Sequence, residues 1–169
     1  MNANMTPLEW AKRPLTKYAD FLGRAPRAEY WWFTLALVVA YMLVRIIEGI
    51  LGISGMIMGV YGPLTVLLWL ATFVPSLAVG VRRLNDTNRS GWWLLLPIVP
   101  YMLAMALGGA AMASGTVGAG MGLAAILMIV GLVCAIVLLV FMVMPGTPGE
   151  NRFGANPYGT DATSAVAAE

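Results

Sequence analysis

The residues of this chain able to do chemistry are few, and the gaps among them are informative. There is no histidine, which removes the commonest general base and the commonest metal ligand. The single cysteine, Cys134, lies inside an apolar run, cannot build a disulfide framework and reads as a small core residue. Zinc chemistry and Ser-His catalysis are thereby excluded, and no catalytic residue, metal site or cofactor is expected. What remains polar is concentrated in a few blocks. The central one runs from Val81 to Trp93 and carries Arg82, Arg83, Asp86 and Arg89, two asparagines and the pair Trp92-Trp93. A second, Arg24 to Glu29, contributes Arg24, Arg27 and Glu29, and a third, after Pro145, contributes Asn151 and Arg152. Clustered arginines suit phosphate or carboxylate, whereas Asp86 among them suits the fixing of a loop. Glu29 or Asp86 is a conceivable base for an enzyme acting on lipid headgroups, with arginines as phosphate clamps.

The elements that must position these blocks are dictated by hydropathy. The chain has 169 residues, of which 60% are hydrophobic and 11% charged. A soluble domain has roughly half apolar and a quarter charged residues, so this is an integral membrane protein. Four apolar runs reach the length needed to cross a bilayer, at about 30–51, 63–81, 92–113 and 121–144. The expected fold is all-α, a bundle of four transmembrane helices over residues 30–144. It is preceded by an N-terminal segment, 1–29, and followed by a turn-rich segment and disordered tail, 145–169. A net charge of +2 does not imply a nucleic-acid partner.

Within the first 29 residues no apolar run has the length of a signal-peptide core. Thr6-Pro7-Leu8-Glu9 has the form of a capping box, with Leu8, Ala11, Leu15, Tyr18 and Leu22 at helical spacing. Pro14 predicts a short helix, a kink and a second short helix, lying on an anionic leaflet or on the protein's own loops. Tyr30, Trp31 and Trp32 read as an aromatic anchor. Arg45 and Glu48 share one helical face and read either as a polar pathway or, more simply, as a pair snorkelling together to the interface. Residues 52–62 and 114–120 read as short uncharged loops. Pro75 should kink the second span, and Pro97 with Pro100 predicts a bend or unwound turn in the third, whose freed carbonyls would suit an ion.

Every lysine and arginine outside the spans lies before the first, between the second and third, or after the fourth. The positive-inside rule then places both termini and the central block in the cytoplasm, an N-in/C-in multi-pass topology in a bacterial inner (plasma) membrane.

Three stretches together resemble the signature blocks of the YhaH-like bacterial inner-membrane proteins, the domain of unknown function 805 family. They are Phe21 to Phe33, Arg82 to Trp93 and Pro145 to Gly154, and the resemblance extends from about Tyr18 to Tyr158. It implies a small multi-pass membrane protein and supplies no catalytic residues. Asn85 stands where the family often has histidine, Pro26 where it often has serine and Phe153 where it often has tyrosine. The leading functional expectation is a non-enzymatic protein whose cytoplasmic face binds membrane lipids with anionic headgroups or an acidic protein partner. That face comprises Arg24, Arg27, Glu29, Arg82, Arg83, Asp86, Arg89, Trp92, Asn151 and Arg152. The alternatives are a small transporter or channel, for which four spans would call for a homo-oligomer, and, third, an enzyme at the membrane interface.

Overall fold

The computed structural model describes residues 5–57, 59–115 and 117–157. It is helical, with isolated β-bridges at Ile57 to Tyr61 and Asn151 to Gly154. Four helices are long and apolar enough to cross a membrane. The chain divides into two compact units, residues 1–88 with 146–169, and residues 89–145.

The first unit contains α1 (Pro7–Thr16), α2 (Arg27–Ile50) and α3 (Pro63–Asp86). Helix α1 starts in a complete capping box: Glu9 N donates to Thr6 Oγ1, and Thr6 N donates to Glu9 Oε2 at 2.6 Å. That backbone donor holds the Glu9 carboxyl below its ordinary range. The expected second short helix after Pro14 does not form. Lys17 N closes α1 on Arg13 O, and Asp20 Oδ1 then accepts the N–H of Leu22. This side-chain turn, followed by Gly23 at φ 77°, competes with helix and sends the chain on towards α2.

Helix α3 extends to Asp86, five residues past the expected end of its span, so Arg82 to Asp86 are helical rather than loop. A run of charge between apolar segments predicts a solvated loop. The structure instead surrounds these groups with protein. A small apolar core of Ala25, Phe33 and Val79, flanked by Tyr30 and Leu37, lies alongside them.

Proline at 75 removes the donor that would serve the carbonyl of Ala71. Tyr18, from the turn after α1, fills the gap: its hydroxyl donates to Ala71 O at 2.9 Å. At the other end of α3 the Arg45–Glu48 pair is present, and its carboxylate also serves as a cap. Glu48 is fully buried and accepts both the N–H of Thr65, at 2.7 Å, and its hydroxyl, at 2.6 Å. A carboxylate there meets the positive end of the helix and two donors, a better environment than the interface. Arg45 lies 3.8 Å from Glu48 and donates to Val60 O.

The second unit comprises a 3₁₀ turn, Gly91–Leu94, then α4 (Leu95–Ser114) and α5 (Val117–Val143). The unwound turn expected at Pro97 and Pro100 is absent, and α4 is continuous. Pro97 falls in its first turn, where a missing N–H costs nothing. The loop expected over 114–120 is also shorter: Gly115, at φ 68°, ends α4, and α5 already begins at Val117. The tight hairpin follows from the left-handed conformation at Gly115. The tail expected to be disordered from Thr160 lies outside the described residues.

Candidate functional site

The last turns of α3 are joined to two segments remote in sequence. Arg24 is at the centre of the junction. Its Nε donates to Asp86 Oδ1 at 2.9 Å, its Nη2 to Thr147 O at 2.6 Å, and its Nη1 to Gly149 O at 2.7 Å and Gly154 O at 3.4 Å. A planar guanidinium with five fixed donors is suited to such a fan of acceptors, which an ammonium would not match. The second oxygen of Asp86 takes Arg83 Nη1 at 2.5 Å. Its backbone carbonyl takes the N–H and hydroxyl of Thr147 at 2.9 and 3.2 Å. Gly146 lies directly on the carboxylate.

Asn85 and Asn151 extend the network. Asn85 Nδ2 donates to Gly23 O, while Asn151 Nδ2 donates to Asn85 O and Thr147 Oγ1. The backbone of Ala25 donates to Arg82 O at 2.9 Å. Residues 151–154 close as a tight turn with reciprocal backbone bonds, and Arg152 reaches back to Asn88 O.

The second ionic centre is Glu29. Its Oε1 receives Arg82 Nη1 at 2.6 Å and its Oε2 lies 3.3 Å from Arg13 Nε. Glu29, Arg82, Arg83 and Asp86 are all 0% exposed and Arg24 is also buried. Buried Arg82 Nε and Nη2 and Asn85 Oδ1 have no hydrogen-bond partner among the described residues. Asp20 senses this charge from outside. Its carboxyl is held below the usual range, first by the N–H of Leu22 and then by Lys17 and Arg82.

Of the ten residues singled out from sequence, the structure joins Arg24, Asp86, Arg83 and Asn151 in one network and Glu29 with Arg82 in the adjoining pair. Arg27 and Arg152 are exposed. Arg89 and Trp92 belong to the second unit, where the Arg89 guanidinium lies 3.9 Å from the centre of the Phe141 ring. Sequence reasoning did not give Arg13, Tyr18 or Gly146 their roles. The signal for Tyr18 was present in Pro75, which guarantees a carbonyl in need of a donor.

Buried arginine–carboxylate pairs closing the end of two apolar helices define a multi-pass membrane protein with an internally neutralised polar end. Among the described residues no histidine, cysteine or acidic cluster is arranged to hold a metal. Residues 18–155 match the family described as proteins of unknown function DUF805, and the chain belongs to that family of multi-pass inner-membrane proteins. It is 35% identical over 150 residues to the inner membrane protein YhaI of Escherichia coli K12, covering 89% of this chain and 96% of that protein. It is 31% identical to the inner membrane protein YhaH of the same organism, with 89% and 97% covered. No solved structure matches the chain.

Proposed function

We propose that this is a non-enzymatic protein of the inner membrane, with both termini in the cytoplasm, whose first unit engages anionic lipid headgroups through α1 and the start of α2. The observation that carries this reading is the outward face of α1. Beside buried Ala11 and Pro14, that face presents Leu8, Lys12 and Leu15 at helical spacing, with the leucines 62% and 48% exposed. Phe21 and Leu22 are exposed just beyond it. Leucines flanking a lysine need an apolar cover beside a charged layer, which a leaflet boundary supplies and an acidic peptide does not.

The buried arginines take no part in this contact. Arg24, Arg82 and Arg83 are buried, whereas Lys12, Arg27 and Arg152 are the exposed cations of the unit that a headgroup layer would meet. Each basic side chain near an anionic surface contributes about 1 kcal/mol. The other readings have less geometry behind them. Of the features that suggested a transporter, Arg45 and Glu48 are engaged around the start of α3, α4 runs unbroken past its prolines, and Pro75 lies inside a continuous α3, so that reading has less support. Glu29 and Asp86 are held in ion pairs away from solvent, where neither is placed to act as a base on a headgroup.

The test is amide hydrogen exchange in nanodiscs. Replacing phosphatidylcholine by phosphatidylglycerol is expected to slow exchange over residues 7–22 in the wild type and to leave the Lys12→Gln/Arg27→Gln variant unchanged. Equal slowing in both proteins, or none in either, overturns the reading.

A further inference from the structure

Helices α2 and α3 run antiparallel in constant register, which lets depth in the bilayer be read along them. Glu48 is bonded to Thr65; seven residues further on each helix, Tyr41 Oη lies 3.1 Å from Thr72 Oγ1; and at the far end Glu29 is bonded to Arg82. Trp31 and Trp32, exposed just beyond Glu29, mark the headgroup boundary. From Trp31 to Leu51 the exposed face of α2 is apolar apart from Arg45, which turns to Val60 O. At 1.5 Å per residue that stretch rises about 30 Å, the thickness of the hydrocarbon core.

Ala71 adjoins Thr72 and so lies at the level of Tyr41, roughly 14 Å inside the tryptophans and close to the middle of the bilayer. Its carbonyl, freed by Pro75, has no water to turn to at that depth, so its donor must come from protein. That donor is the Tyr18 hydroxyl. Even fully extended, a tyrosine side chain does not bridge the distance to the boundary, so the backbone of Tyr18 lies inside the boundary as well. Exposure along α3 agrees. Leu67, Trp69, Leu70 and Phe73 are exposed, whereas no residue from Val74 to Asp86 is. Residues 18–25 run beside this covered half, from Tyr18 at Ala71 O to Ala25 N on Arg82 O and Gly23 O under Asn85 Nδ2.

We propose that the N-terminal segment is re-entrant: the end of α1 and Tyr18 sink among the acyl chains on the side where α2 starts, and residues 18–25 return along α3 to the boundary. Non-helical chain in hydrocarbon needs its backbone donors served by protein. Asp20 N donates to Lys17 O at 3.2 Å and Leu22 N to Asp20 Oδ1 at 3.1 Å. The Lys17 ammonium reaches along the returning chain to Asp20, 3.4 Å away, its stem lying in the apolar layer. Leu15 and Tyr18, 48% and 44% exposed, then meet acyl chains, while Lys12, further back on α1, meets headgroups. The proposal concerns depth and rests on α2 and α3 crossing the bilayer, independently of any anionic preference of α1.

The experiment uses the full chain in pure phosphatidylcholine nanodiscs. In a Cys134→Ser background, a nitroxide is attached to Ala19→Cys, whose native side chain is exposed beside Tyr18, with Arg27→Cys as the boundary reference and Leu35→Cys as the hydrocarbon reference. Collision with oxygen, which concentrates in hydrocarbon, is compared with collision with a water-soluble nickel chelate. The oxygen-to-nickel ratio at Ala19 should stand several-fold above that at Arg27 and approach that at Leu35. Leu15→Cys, in the last turn of α1, is the second site and should read the same way should a label at Ala19 disturb the turn. A ratio at Ala19 or Leu15 no higher than that at Arg27 overturns the proposal. Because no anionic lipid is present, this result is separate from the exchange difference over residues 7–22.

Discussion

Gly146 and Asp86 should be energetically coupled, with a sign that follows from their contact. A Cβ on Gly146 would lie 2.2 Å from Asp86 Oδ2, 2.6 Å from Cγ and 2.7 Å from Oδ1. Gly146 is not among the glycines with positive φ, so alanine is conformationally acceptable there and the clash alone sets its cost. The carboxylate cannot step aside, because Arg24 holds one oxygen and Arg83 the other. Forcing one carbon into such a site costs about 1–3 kcal/mol, so Gly146→Ala should destabilise the wild type by roughly 2 kcal/mol. Asp86→Ala is itself severe, about 3–5 kcal/mol, because it removes the carboxylate shared by two buried guanidinium groups. Yet the backbone carbonyl of residue 86 still holds the N–H and hydroxyl of Thr147, so residue 146 stays in place. In the Asp86→Ala background Gly146→Ala should therefore cost almost nothing. The coupling, about 2 kcal/mol, can be read from sodium dodecyl sulfate unfolding of the four proteins in mixed micelles followed by tryptophan fluorescence. Equal costs in the two backgrounds would refute the contact.

Two further predictions concern the N-terminal segment. Tyr18→Phe should cost about 0.5–1.5 kcal/mol by removing the bond to Ala71 O, and should become nearly neutral in a Pro75→Ala background, where residue 75 regains its donor; the same unfolding cycle measures both. The Asp20 carboxyl is depressed, so its contribution is fully present above the unfolded value of about 3.9 and is lost as pH falls through the lower folded value. Unfolding midpoints measured on acidification should decline below about pH 4 more steeply in the wild type than in Asp20→Asn.

The four spans were legible because long apolar runs leave the chain no soluble alternative. The three polar blocks were legible for the opposite reason, as interruptions in a chain otherwise short of charge. What each block does was not legible. The stretch Arg82 to Asp86 read as loop because a run of charge between apolar segments implies water, and only the partners, 53 to 62 residues away at Glu29 and Arg24, make a buried helix end tenable. A single sequence gives no pairing information at that separation. Glu48, three residues from Arg45, forms the ion pair that the spacing suggests, at 3.8 Å, but its shorter contacts are with Thr65 across the following loop. Local spacing reveals neighbours on one helix and is silent about those on the next.

The clasp formed by residues 147–154 has a consequence for how the protein is made. Arg24 and Asp86 have long been synthesised when Thr147, 61 residues after Asp86, finally appears. At about 5–20 residues per second the delay after Asp86 is roughly 3–12 s, during which the α4–α5 hairpin must be delivered to the membrane. Over that interval the Arg24 guanidinium lacks its three carbonyl acceptors. The first unit is thus left open until residues 147–154 are made, and a chain cut short after α5 would reach the bilayer with Arg24 still paired to Asp86 but without the carbonyls that hold its other donors.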